Sequence, residues 1–86
     1  MDYSMMNKMR FLPMKIGTLE KYMMEDREEL LRVQTDLLSA FGPQQKHFLK
    51  RKEISLINRM ENNAEKLKEA KAEGLRLQLA IQEVLA

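Results

Sequence analysis

Apolar residues recur along most of this chain at alternating spacings of three and four residues, the pattern of a helix that packs lengthwise on another helix. In the first half, seven of the eight positions in this row, which we call the seam, are apolar. They are Ile16, Leu19, Met23, Asp26, Leu30, Val33, Leu37 and Ala40. The pattern predicts helix 1 over residues 16–41. Leu31, Leu38 and Phe41 form a second apolar stripe beside the seam.

The second half continues with the same spacing, and eight of its eleven seam positions are apolar. They are Leu49, Glu53, Leu56, Met60, Asn63, Leu67, Ala70, Gly74, Leu77, Ile81 and Val84. The pattern predicts helix 2 over residues 44–86, and Pro43 suits the first helical position. Phe48, Ile54 and Ile57 widen the apolar surface, so this part is expected to contact more than one neighbouring helix.

The only strong break between the two patterns is Gly42-Pro43. Glycine fits the left-handed position after a helix, and proline blocks its continuation. A turn at 42–43 makes the helices antiparallel and places residue i beside roughly residue 85 − i. The predicted fold is all-α: a single domain over 1–86 that forms an antiparallel, coiled-coil-like helical hairpin. Residues 1–15 are expected to form a separate Met-rich segment.

Charge supports this pairing. Residues 25–36 carry five carboxylates against two arginines, and residues 46–59 carry five cations against one carboxylate. The pairing rule brings the two stretches side by side, where opposite charges orient the helices while apolar burial stabilises them. Asn63, a polar seam residue, is expected to fix register and oligomeric state. The predicted hairpin core consists of Leu30, Val33, Leu37, Leu56, Met60 and Leu67.

The composition excludes several kinds of chemistry. The chain has 86 residues, a formal net charge of +2 and no cysteine, so it has no thiol nucleophile or thiolate metal site. His47, the only histidine, neighbours Lys46, Lys50 and Arg51, which give it nothing to activate. Met6 and Met9 have a spacing that could serve Cu(I), but packing of flexible side chains, or disorder, is the favoured explanation. We therefore expect no enzyme activity, cofactor or metal.

A helix 1 that begins near residue 16 leaves the Leu-rich end of helix 2 uncovered, and exposed apolar patches usually mark contact sites. The predicted partner-binding residues are Leu75, Leu79, Ile81, Leu85, Met5, Met6, Met9 and Phe11. The resulting hypothesis is a small adaptor, regulatory or chaperone-like hairpin that captures a partner helix. Dimerisation or a partner chain would complete a helical bundle, and a homodimer is the expected form.

Two alternatives remain open. Lys46, Lys50, Arg51 and Lys52 could contact RNA or DNA phosphates in a dimeric regulator. The chain could instead be a structural component of a larger assembly. No uncharged run approaches the length that spans a bilayer, so no membrane partner is expected. With no cysteine and no apolar leader, the expected location is the cytoplasm.

Overall fold

The computed structural model describes residues 3–85 as two antiparallel helices. Helix α1 spans Tyr3–Leu38, and helix α2 spans Pro43–Leu85. Together they form a rod with extents of 65 × 18 × 14 Å. The all-α hairpin predicted from the sequence is confirmed. The expectations for residues 1, 2 and 86 lie outside the described residues.

The seam lies where the spacing predicts it. Every seam position of α1 from Ile16 to Leu37, and Ala40 in the turn, is buried or half-buried. The same holds for α2 from Leu49 to Ile81, whereas Val84 is exposed. The most buried apolar cluster joins Val33, Leu49 and Leu56 near the turn. The heptad phase is therefore correct in both helices.

The predicted start of helix 1 is wrong. Helix α1 begins at Tyr3 and runs without a break through Pro13 and Gly17, so residues 3–15 do not form a separate segment. A proline in a helix interior removes a hydrogen bond and costs about 3 kcal/mol. The compensation is tertiary: Leu12 is buried, and with Ile16 it lines a groove against Gly74 and Leu77 of α2. The N-terminal half of α1 thus pairs with the end of α2 that the sequence left uncovered.

The predicted end of helix 1 at residue 41 is also too late, since α1 ends at Leu38. The last turn is closed by a hydrogen bond between residues three apart instead of four: the Ser39 N–H donates to the Asp36 carbonyl at 3.2 Å. Gly42 has φ +84°, the predicted left-handed conformation, and its carbonyl accepts the Lys46 N–H at 3.3 Å. Pro43 is the first residue of α2, one residue earlier than predicted, so the connection between the helices covers residues 39–42.

Gly42 and Gly17 provide a matched pair of variants. A Cβ added at either position meets nothing within 4 Å, but only Gly42 has a positive φ. We expect Gly42→Ala to lower the free energy of unfolding by about 1–2 kcal/mol, because L-residues are strained in the left-handed region. Gly17→Ala should raise it by about 0.5–1 kcal/mol, since alanine has the higher helix propensity. Urea unfolding followed by circular dichroism measures both; destabilisation of equal size at the two positions would contradict this account.

Neither helix, over residues 3–85, contains a stretch long and apolar enough to cross a membrane.

Candidate functional site

The one buried charge of the described residues lies on the seam. Asp26 is only 6% exposed, and its carboxylate accepts two hydrogen bonds from Arg59 of the opposite helix. Arg59 Nε lies 3.0 Å from Oδ2, and Nη2 lies 2.6 Å from Oδ1. This two-point geometry fixes both the distance and the orientation of the groups. The pair therefore sets how the two helices face each other at mid-length.

The pair also changes the ionisation of Arg59. The hydrogen bonds to Asp26 raise the pKa of the guanidinium above its ordinary value, and attraction to Asp26 and then Glu29 adds to the rise while burial opposes it. A raised pKa favours the charged form in the folded chain. The stabilisation that corresponds to this raised pKa is complete at neutral pH and is lost as pH rises through the pKa of Arg59.

Other ion pairs flank the seam on the same side. In heptad notation, with seam positions a and d, these pairs join g positions of the two helices. Lys52 Nζ lies 3.2 Å from Glu29 Oε1, and Lys8 Nζ lies 3.7 Å from Glu73 Oε1. We call the side that carries them the charged side. The predicted meeting of acidic and basic stretches is confirmed by the contacts of Lys52 and Arg59 with Glu29 and Asp26.

A polar groove of about 510 Å³ opens on the charged side. Its lining comprises Tyr22, Glu25, Asp26, Arg59, Asn62, Asn63 and Lys66. Asn63 is half-buried there, as its seam position requires. Its predicted role in register and oligomeric state stays a prediction. In this groove the carboxylate of Asp26 accepts two hydrogen bonds from the guanidinium of Arg59.

The opposite side of the seam is different in character. It is formed by e and b positions, and near the turn these hold exposed apolar residues. They are Met24, Leu31 and Leu38 on α1 with Ile54 and Ile57 on α2, and we call this set the turn-end face. Leu38 is 90% exposed and Leu31 60%. The extra apolar stripe that the sequence shows on each helix thus lies on the same side of the hairpin. Phe48 is the exception on α2, because it lies at a c position.

Half-buried seam residues extend this face inward. Met23, Leu30 and Met60 line a groove of about 290 Å³ together with Ile57 and Ala64, and Glu61 is its only charged residue. Several ion pairs cross the seam on the charged side. On the apolar side Glu20–Lys71, at 3.7 Å, crosses it, and this pair lies further from the turn than the groove. Another apolar surface laid on the turn-end face would reach the seam directly.

The eight predicted partner-binding residues do not form one surface. Met5 and Ile81 are half-buried at seam positions, where they help to close the hairpin. The other six, including Met9 on the seam, are exposed. Phe11 and Leu79 lie at c and f positions, away from Met6, Leu75 and Leu85 at e and b. Since α1 covers the seam of α2 here, the overhang that motivated this prediction does not exist.

Of the predicted hairpin core, Val33 and Leu56 are buried, and each is 3% exposed. Leu30, Leu37, Met60 and Leu67 are half-buried. Leu19, a predicted seam residue that was left out of this core set, is buried as well. Sequence reasoning missed Leu12, which is buried on α1, and the Asp26–Arg59 pair. The signal for the pair was present, because 26 and 59 sum to 85.

The basic cluster considered for nucleic acid is partly neutralised. Lys52 pairs with Glu29, and Lys50 Nζ lies 3.5 Å from Glu53 Oε1 in its own helix. Lys46 and Arg51 are exposed, and neither has an ion pair among the described residues. His47 is also exposed. Within residues 3–85, no three His, Cys, Asp or Glu side chains come together as a metal site.

No protein-family model matches the chain, and no curated protein or solved structure is significantly similar to it.

Proposed function

We propose that this protein is a non-enzymatic interaction module that binds another polypeptide through its turn-end face. The observation that carries the proposal is the grouping of Met24, Leu31, Leu38, Ile54 and Ile57, exposed together on one side of the hairpin. Exposed apolar patches of this kind, rimmed by polar residues, usually mark protein contacts. The proposal keeps the predicted class of function, an adaptor or regulatory hairpin, but moves the contact from the far end of α2 to the turn.

The surface area of the isolated hairpin supports the proposal. Its accessible surface is 6988 Å². A compact monomer of 10.2 kDa is expected to expose only about 5,300 Å². Its radius of gyration, 19.2 Å, also exceeds the value of about 12 Å expected for a compact domain of this length. A thin rod of two helices therefore leaves much apolar surface in water, and binding another polypeptide would remove it.

Site-specific photocrosslinking in the native host tests the proposal. A photoreactive amino acid at Leu38 should form covalent adducts with a polypeptide, because this side chain is 90% exposed on the turn-end face. The same probe at Asn62, exposed on the charged side, is the matched control. Mass spectrometry of the purified adducts identifies the crosslinked molecule.

The yields of adducts at the two positions decide between the outcomes. Polypeptide adducts that form at Leu38 well above the Asn62 level support the proposal. Equal yields at the two positions, or adducts with nucleic acid alone, would overturn it. A third probe at Leu79 tests the contact predicted from the sequence, and adducts only there would move the binding surface back to the far end of α2.

A further inference from the structure

We infer that the polypeptide on the turn-end face is a second copy of this chain. The two hairpins would lie side by side with their turns at the same end, α1 of each copy packing on α2 of the other. The product is a four-helix bundle in which every helix is antiparallel to its neighbours. This inference rests on the proposed function, since it names the occupant of the same face.

The first argument is the match of apolar positions. Within the hairpin, antiparallel neighbours on α1 and α2 have residue numbers that sum to about 85, as Asp26 and Arg59 do. The same relation holds between copies in this arrangement. It places Leu31 of one copy opposite Ile54 of the other, with Ile57 one turn further along. The turn-end face of one copy thus packs against the turn-end face of the other.

The second argument is one contact between charges. The charged residues at e and b positions of the apolar side are Arg10, Glu20, Arg27, Lys50, Glu61, Lys68 and Lys71. Glu20 already pairs with Lys71, and Lys50 with Glu53, within the hairpin. Between copies, Arg27 lies near Glu61, and the numbers of this pair sum to 88. Ion pairs within the hairpin span sums from 81, for Lys8–Glu73, to 91, for Glu20–Lys71, so the contact between Arg27 and Glu61 falls within reach.

The opposite orientation of the second copy fits less well. With the copies reversed end for end, the turn-end face of one would lie on the far end of the other. Three of the e and b positions there hold Arg10, Gln78 and Gln82, all exposed. A two-fold axis that reverses the copies packs α1 on α1 and α2 on α2, so Leu31 would lie near Arg10 and Ile54 near Leu75. Leucine and isoleucine side chains would be buried beside unpaired polar groups, which is costly.

The third argument is area. The hairpin is 65 Å long and 18 Å wide, so one side covers about 1,100 Å², above the roughly 800 Å² per partner of a stable interface. Covering that side would remove most of the excess surface of the isolated hairpin. The charged side is less suited to such a contact, since Asp26, Glu29, Lys52 and Arg59 pair across it near mid-length, whereas Glu20–Lys71 is the ion pair across the apolar side.

Sedimentation of the full chain over a dilution series tests the inference. The natural sequence should form a dimer, and Leu31→Glu should raise the dimer Kd about 100-fold or more, because it places a carboxylate in the apolar contact. Leu38→Glu is the second variant, since 90% exposure means that it removes almost no contact within the hairpin. Leu79→Glu is the matched control. At 52% exposure, on the side away from the interface, it should leave the Kd unchanged.

Crosslinking tests the orientation. The chain has no cysteine, so one can be introduced at a single chosen position. A short bis-maleimide should join Leu31→Cys chains to Ile54→Cys chains in a mixture. Preferential joining of Ile54→Cys chains to Leu75→Cys chains would overturn the arrangement.

A failure of the inference is distinguishable from a failure of the proposed function. A natural chain that stays monomeric at every concentration, or a Kd that changes equally in Leu31→Glu and Leu79→Glu, would overturn the inference. If the probe at Leu38 then captured a different polypeptide, the proposed function would still hold. If Leu38 captured nothing, both would fail. Loss of the dimer together with loss of helix in Leu31→Glu, but not in Leu79→Glu, supports the inference, because folding is then coupled to association.

Discussion

Leu56→Ala should cause the largest loss of stability of any single truncation in the hairpin, about 3 kcal/mol. Leu56 is 3% exposed and packs with Val33 and Leu49 in the most buried cluster. Removing its branched end loses apolar burial and leaves a cavity that two straight helices cannot easily close. In a chain this small, such a loss is a large fraction of the total stability. Urea unfolding followed by far-UV circular dichroism, at one fixed protein concentration, measures it.

Leu79→Ala is the control for this prediction, because it makes the same chemical change at a side chain that is half exposed. Its expected effect is within about 0.5 kcal/mol. Equal losses in the two variants would show that the heptad seam does not hold the hairpin together. A larger loss at Leu79 would place the principal packing surface on the opposite side of α2.

The seam was predictable from sequence because it depends on a local period alone. The same period, combined with a short turn at Gly42, gave the pairing of residues near a sum of 85. That rule was sufficient to match Asp26 with Arg59. From the sequence, however, Asp26 was counted only as the polar exception among the apolar seam positions of helix 1. The role of a polar residue on a seam can be predicted only when the residue opposite it on the other helix is also considered.

The first fifteen residues could not be assigned from local signals. Pro13 and Gly17 both oppose helix, and their combined cost of about 4 kcal/mol argues for an end to the pattern. What opposes that cost is the far end of α2, around Gly74 and Leu77, which has no other cover in the chain. Contacts between residues some sixty positions apart decide the matter, and no local window contains them.

The turn-end face illustrates a related limit. Its residues were visible in the sequence as two extra stripes, one on each helix. Their e and b positions put both stripes on the same side once the two seams pair antiparallel. How far each side chain is exposed there follows only from the structure. The charged side was not predicted either. From the sequence, Lys52 and Arg59 were counted only as members of a basic stretch, without assigning them to one side of the hairpin.

Asp26→Ala should lower the free energy of unfolding by about 2 kcal/mol, because it removes both hydrogen bonds to Arg59 and leaves a gap on the seam. The loss stays below that of a fully buried pair, since the Arg59 side chain is 56% exposed and can turn towards water and Glu29. Glu20→Ala is the matched control. Its carboxylate is 52% exposed and 3.7 Å from Lys71, so removing it should cost at most about 0.5 kcal/mol.

Asp26→Leu separates the stabilising effect of the pair from its orienting effect. Leucine at this seam position buries apolar surface worth about 1.5–3 kcal/mol, which offsets the lost ion pair. We therefore expect Asp26→Leu to be as stable as the natural chain or more so, as often happens when a buried ion pair is replaced by an apolar group. The same change makes the charged side more apolar, so it should also produce oligomers larger than a dimer in sedimentation. If Asp26→Leu were as unstable as Asp26→Ala, the carboxylate itself would be the stabilising element; if it were stable and formed no larger species, the pair would have no part in distinguishing the two sides.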